Sequence, residues 1–192
     1  FVLVRLNGSS SITPVDIDSA NISNSYSDGK GNLWAIGLGS TTTWSYEPVT
    51  PDNLKHVELK YVSNQSCCTN TGYSCSEITS NKICATSPGQ GICNGDSGGP
   101  LYDSSSQKVV GVTSYALDCG AQNDPGVYAR VGSEIDWIKS VVCNNHSADT
   151  LPSWCGSNPA PAPVAAPVAA PVAAPVAAPV TAPVAAPVSI PV

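Results

Sequence analysis

The 192-residue sequence contains no Met, one Phe and two His, and only 11% of its residues are charged. Eight Lys and Arg stand against fourteen Asp and Glu, for a formal net charge of −6. So acidic a chain offers no basic surface to a phosphate backbone, which excludes nucleic acid as a partner. No apolar run approaches the roughly 20 residues needed to cross a bilayer as a helix. With two His and no paired Cys-x-x-Cys units, neither a metal site nor a cofactor is expected. The missing Met, with Phe1 lying inside an apolar segment, gives the expectation of a processed or truncated chain.

What is present is more informative. Eight Cys, an even number, together with abundant Asn, Ser and Thr and few Lys, read as a secreted protein from an oxidising compartment. Four Asn-x-Ser sequons, at Asn7, Asn21, Asn64 and Asn145, are glycosylation candidates expected on surface loops. From Gly156 the composition changes. A Pro-Val-Ala-Ala repeat begins at Pro163 and runs to Val192. Pro at every fourth position removes backbone donors, so residues 156–192 are expected to be a disordered, extended stalk. It reads either as a spacer that contacts a cell wall or matrix, or as an extension without a task.

The remainder, about 155 residues, suffices for one domain with a real core. It reads as all-β. Apolar runs at residues 1–6, 33–38, 57–62, 109–114 and 126–131 are separated by Gly, Pro, Asn and Ser clusters. Val57, Leu59 and Tyr61 alternate with Glu58 and Lys60, the pattern of a half-buried strand. One helix is expected, capped by Ser133, with Glu134 and Asp136 in its first turn. Ile135, Trp137, Ile138, Val141 and Val142 would form its apolar face.

The stretch that carries chemistry is Cys93-Asn94-Gly95-Asp96-Ser97-Gly98-Gly99-Pro100-Leu101. Ser97 is a hydroxyl followed by two glycines, so a bulky carbonyl compound can approach it. A glycine-rich turn can aim the amides of Gly95 and Ser97 at one point, the requirement for holding a developing oxyanion. Asp96, an acid inside that turn, needs a cationic or hydrogen-bonding partner.

Gly95–Leu101 resembles the active-serine signature of the chymotrypsin/trypsin family of serine endopeptidases. Residues 78–85, the strand Gly111-Val112-Thr113-Ser114-Tyr115, the segment Pro125-Gly126-Val127-Tyr128 and the terminal helix are similar to further family segments, in the same order. Gly37-Leu38-Gly39 is similar to the family's Gly-Trp-Gly, with Leu38 in place of Trp. The resemblance implies a chymotrypsin-like fold: the second antiparallel barrel and a C-terminal helix. Its divisions are residues 1–28 (a remnant strand of a first barrel and a linker), 29–142 (the barrel and helix), 143–155 (a disulfide loop) and 156–192 (the tail).

The resemblance also implies the mechanism. Ser97 is the nucleophile, Gly95 an oxyanion-hole amide, and Asp96 the acid that pairs with an α-amino group after activation. The family's Asp stands just ahead of a run like residues 1–6, and its His earlier still. The expectation is therefore a chain without its general base, inactive alone. His56 and His146 are expected at the surface. Asp16 and Asp18 are placed in the linker and Asp52 in a turn.

By the same comparison the specificity pocket has Gly91 at its base, beside Ile92, with Ser114, Tyr115, Ala116 and Gly126 as walls. An uncharged residue of small or medium size, or an aromatic, is the expected substrate side chain. Asp118 reaching in would instead favour a basic one. The implied disulfides are Cys93–Cys119, Cys143–Cys155, and Cys84 with Cys67 or Cys68, the other of the doublet joining Cys75. A secreted serine endopeptidase acting on protein or peptide substrates is the principal reading. A non-catalytic homologue, serving as an inhibitor or binding module, is the alternative.

Overall fold

The computed structural model describes residues 1–42, 47–69, 71–121, 124–145 and 155. The tail expected at 156–192, and His146, lie outside the described residues. Among those described, strands β1 (Asp16–Ile17), β2 (Leu33–Gly37), β3 (Lys55–Val62), β4 (Lys82–Thr86), β5 (Pro100–Asp103), β6 (Lys108–Tyr115) and β7 (Gly126–Arg130) are joined by helices α1 (Asn64–Thr69) and α2 (Ile135–Asn145). Hydrogen-bonded neighbours run β2, β3, β4, β7, β6, β5 and back to β2, each pair antiparallel, which closes a six-stranded barrel. β1 lies parallel to the start of β6, pairing Asp16 with Lys108 and Ile17 with Val109.

The pleat sends alternate residues inward. Leu33, Leu59, Ile83, Leu101, Val110 and Tyr128 meet in the barrel interior with no exposed surface. Full burial of each aliphatic side chain stabilises by about 1.5–3 kcal/mol. In β3, Leu59 and Tyr61 are buried and Glu58 and Lys60 exposed, as the alternation requires. A second apolar cluster of Cys67, Tyr73, Ile78, Cys84 and Val127 lies under α1.

Four disulfides cross-link this frame: Cys67–Cys84, Cys68–Cys75, Cys93–Cys119 and Cys143–Cys155. Successive residues on a helix point about 100° apart. Cys67 therefore faces the core and β4, while Cys68 looks sideways toward Cys75. The other end of the barrel carries an ionic cluster with no sequence motif behind it. Asp103 accepts from Lys30 Nζ at 3.0 Å, from Tyr26 Oη at 2.5 Å and from the Ser105 amide at 2.9 Å.

Four local expectations need correction. Residues 1–6 form no strand. Val2, Val4 and Leu6 stand exposed, and no strand pairing includes the segment. Ser133 does not cap the terminal helix. It sits in a 3-10 turn (Val131–Glu134) that runs straight into α2, and its hydroxyl donates to Arg130 O at 2.9 Å. Of the face assigned to α2, Ile138 is buried while Trp137 is 40% exposed. The sequons are not all in loops. Asn7 is exposed, but Asn64 opens α1 with its amide donating to Thr79 O at 2.6 Å, and Asn21 precedes a 3-10 turn. The side chain of Asn145 lies outside the described residues.

Candidate active site

Ser97 occupies the turn between the Cys93 disulfide and β5. Gly95 and Gly98 have φ of +98° and +83°, conformations in which a Cβ is strained, so glycine is required at both. The turn is pinned to the barrel wall by reciprocal bonds. Gly98 N donates to Thr113 O at 2.9 Å and Thr113 N to Gly99 O at 2.8 Å. Among the described residues, the amides of Gly95 and Ser97 donate to no protein acceptor, and the Ser97 hydroxyl has no partner. The turn thus leaves a hydroxyl and two N–H groups exposed and unused.

Asp96 points away from Ser97, into the barrel end. Its carboxylate accepts from Gly39 N at 2.8 Å and from Cys93 N at 2.9 Å. Two backbone donors therefore satisfy the acid. It is packed so closely that a Cβ on Gly37 would stand 1.9 Å from its Oδ1, and one on Gly39 would stand 2.4 Å from its Cγ. This is the physical reason for Gly at both positions. Behind the carboxylate lies a cavity of about 380 Å³, whose lining includes Gly37, Gly39, Lys55, His56, Gly91, Asp96 and Gly120.

A separate cavity of about 190 Å³ opens beside Ser97, lined by Ile92, Cys93, Asn94, Thr113, Ser114, Tyr115 and Ala116. Five of the expected site residues thus meet there: Ser97, Ile92, Ser114, Tyr115 and Ala116. Gly91 and Gly126 do not line it. Gly91 faces the other cavity, with its Cβ direction 3.1 Å from Gly120 Cα, and Gly126 is buried under Ile92. Gly126, expected as a wall, is packed behind Ile92 instead.

Asp118 turns its carboxylate onto the neighbouring Cys119 amide at 2.7 Å and lines neither cavity. The linker acids are structural: Asp18 is buried and caps the Ile22 and Ser23 amides at 2.9 and 3.1 Å, and Asp16 pairs with Lys108 at 3.6 Å. His56 is exposed on β3, its ring 5.2 Å from that of Trp34, and does not line the Ser97 cavity.

Sequence reasoning missed Tyr73. Its hydroxyl donates to Pro125 O at 2.9 Å and accepts from Leu117 N at 3.1 Å, and its ring meets Tyr115 edge-on at 5.8 Å. It therefore braces one wall of the Ser97 cavity. Burial pushes its phenol up to about 12. Nothing in the local sequence marks this residue, because both partners of its hydroxyl are more than 40 positions away.

A closed six-stranded antiparallel barrel, a C-terminal helix and a glycine-flanked serine at the barrel end define the chymotrypsin-like class of fold. The trypsin family model matches residues 1–138. The chain belongs to the trypsin family. It is 34% identical over 143 residues to trypsin delta of Drosophila melanogaster, covering 72% of this chain and 53% of that protein. It is 44% identical over 91 residues to trypsin alpha-3 of Lucilia cuprina, covering 47% and 53%. Among solved structures it is similar to mouse neuropsin, a serine protease, with a TM-score of 0.58 at 29% identity, covering 68% of this chain and 54% of that one. The chain spans about half the length of these relatives.

Proposed function

We propose that the chain supplies the nucleophile side of a serine endopeptidase. Ser97 attacks the peptide carbonyl to form an acyl-enzyme, and the Gly95 and Ser97 amides receive the oxyanion. The observation that carries this reading is the Ser97 turn, where the exposed Ser97 hydroxyl borders a cavity and the Gly95 and Ser97 amides have no acceptor among the described residues. A serine hydroxyl is a weak nucleophile without a base, and no imidazole contacts Ser97 among the described residues. The triad His and Asp are accordingly assigned to the part of the relatives that this chain does not span, and the 192 residues alone are inactive.

That same missing contact favours a second reading, a non-catalytic homologue that binds without cleaving. The disulfides fit an extracellular setting. Secretion, glycosylation and matrix contact through the tail belong to the proposal.

A fluorophosphonate probe separates the two readings. The full-length gene product should label at Ser97, and Ser97→Ala should abolish the label. The 192-residue chain should react slowly or not at all. A full-length product that does not label favours the binding module. A 192-residue chain that labels as fast as the full-length form overturns the assignment of the base.

A further inference from the structure

We infer that Asn94-Gly95 is a self-modification site: the Gly95 amide attacks the Asn94 carboxamide, and the isoaspartate that results switches off the Ser97 turn. The modification stands by itself; its consequence for Ser97 rests on the peptidase reading. Three dipeptides in the sequence place Gly directly after Asn or Asp: Asn7-Gly8, Asp28-Gly29 and Asn94-Gly95. In each, the Gly nitrogen can close a succinimide ring on the preceding side chain, and Gly carries no side chain to shield its amide. At Asp28 both reactants are already engaged. Its carboxylate accepts from the Ser63 and Ser66 hydroxyls, and Gly29 N donates to Tyr61 O at 2.9 Å. At Asn94 neither is. The side chain is exposed, its carboxamide has no hydrogen-bond partner among the described residues, and the Gly95 amide donates to no protein acceptor there. The Asn94 carbonyl accepts from Ser40 N at 2.8 Å. That bond stabilises the negative charge the peptide group takes up as the Gly95 nitrogen loses its proton. Asn7 is also exposed, with open space beside Gly8, but it lines neither cavity.

The step balances with water alone. The Gly95 nitrogen gives up its proton and bonds to Asn94 Cγ, and the carboxamide nitrogen leaves as ammonia. Water then opens the succinimide at either carbonyl. Opening at the former side-chain carbonyl gives an aspartate. Opening at the former backbone carbonyl gives an isoaspartate, in which the main chain runs through Cβ and Cγ. The turn has no slack for that added atom. Cys93 is tied to Cys119, its amide donates to Asp96 Oδ2 at 2.9 Å, and Asp96 N returns to Cys93 O at 3.1 Å. A Cβ on Gly95 would stand 3.2 Å from Gly39 Cα. The lengthened chain therefore shifts the Gly95 amide, which the peptidase reading assigns to the oxyanion. It also leaves a carboxylate beside the cavity that Asn94 and Ser97 share. A developing oxyanion loses one donor and meets a like charge.

The test ages the purified full-length gene product in mildly alkaline buffer and takes two readouts from the same samples. Peptide mapping follows ammonia loss at Asn94 and Asn7 separately, with isoaspartyl methyltransferase marking isoaspartate. Fluorophosphonate labelling follows Ser97. Isoaspartate should accumulate at position 94 and not at Asp28. The fraction of label lost should match the isoaspartate fraction at 94, whatever the state of Asn7. Asn94→Gln, whose carboxamide is one carbon too far to close a succinimide, should keep its own starting labelling rate throughout. The inference is overturned by an Asn94 that survives while a synthetic peptide of residues 91–97 converts. Isoaspartate at 28 as fast as at 94, isoaspartate at 94 with label unchanged, or Asn94→Gln losing label at the wild-type rate would overturn it equally. Each of these leaves the peptidase reading in place. A fresh full-length product that never labels removes that reading and the consequence for Ser97, while peptide mapping still decides the modification.

Discussion

The Asp96 carboxylate sits where the side chains of residues 37 and 39 would be, and it accepts the Gly39 amide at 2.8 Å. This joins the end of β2 to the Ser97 turn across 57 positions of sequence. It also accounts for glycines that no local turn demands.

Gly37→Ala should therefore be more damaging than Gly39→Ala, since its Cβ falls 1.9 Å from a carboxylate oxygen rather than 2.4 Å from the carboxyl carbon. Displacing Asp96 leaves the Gly39 and Cys93 amides unpaired, at about 1–3 kcal/mol for each group that stays buried. Denaturant midpoints of the two variants measure the loss.

Acid should loosen the opposite end of the barrel. Burial alone would push the Asp103 carboxyl up. Its bonds from Tyr26, Lys30 and the Ser105 amide outweigh this and hold it below the ordinary value of 3.8. A depressed native value means that the stabilisation is present above pH 3.8 and is lost as pH falls through the native value. Lys30→Met should cost about 1.5–3 kcal/mol near neutral pH, by removing a charged donor from a buried acceptor. It should also flatten the acid limb of the stability curve. Urea titrations from pH 2 to 7, on the order of half-unit steps, check both effects.

Alkali should act through Tyr73. Burial raises its phenol to about 12, so its contribution is complete below the ordinary value of 10 and disappears as pH rises through 12. Tyr73→Phe leaves Leu117 N–H and Pro125 C=O without their partner, at a cost of about 1–3 kcal/mol. Phenolate absorbance should show one fewer late-titrating tyrosine in the variant. Unchanged stability in Tyr73→Phe would contradict the bracing role.

The disulfides rank by the loops they close. Cys67–Cys84 spans 17 positions and Cys68–Cys75 spans 7. The chain-entropy relation gives about 3 and about 2.3 kcal/mol. Cys67 and Cys84 are also fully buried, so replacing both by Ala should cost more than the loop term alone. Thermal midpoints of the two double variants should separate in that order.

Much of the frame was legible in the sequence. The alternation of Val57, Leu59 and Tyr61 marked β3, Gly-, Pro- and Asn-rich breaks marked an all-β chain, and the Ser97 segment pointed to the trypsin family. Those signals are local, because a pleat repeats every two residues and a tight turn needs glycine within a few positions. The tertiary structure decided what depends on barrel closure. It set the wedging of Asp96 against Gly37 and Gly39, the Tyr26–Lys30–Asp103 cluster, the brace at Tyr73, and the facing of Ile92 rather than Gly91 toward Ser97. Each joins strands distant in the chain, and strand order and register are fixed by the summed packing of the whole barrel, which no short stretch of sequence encodes.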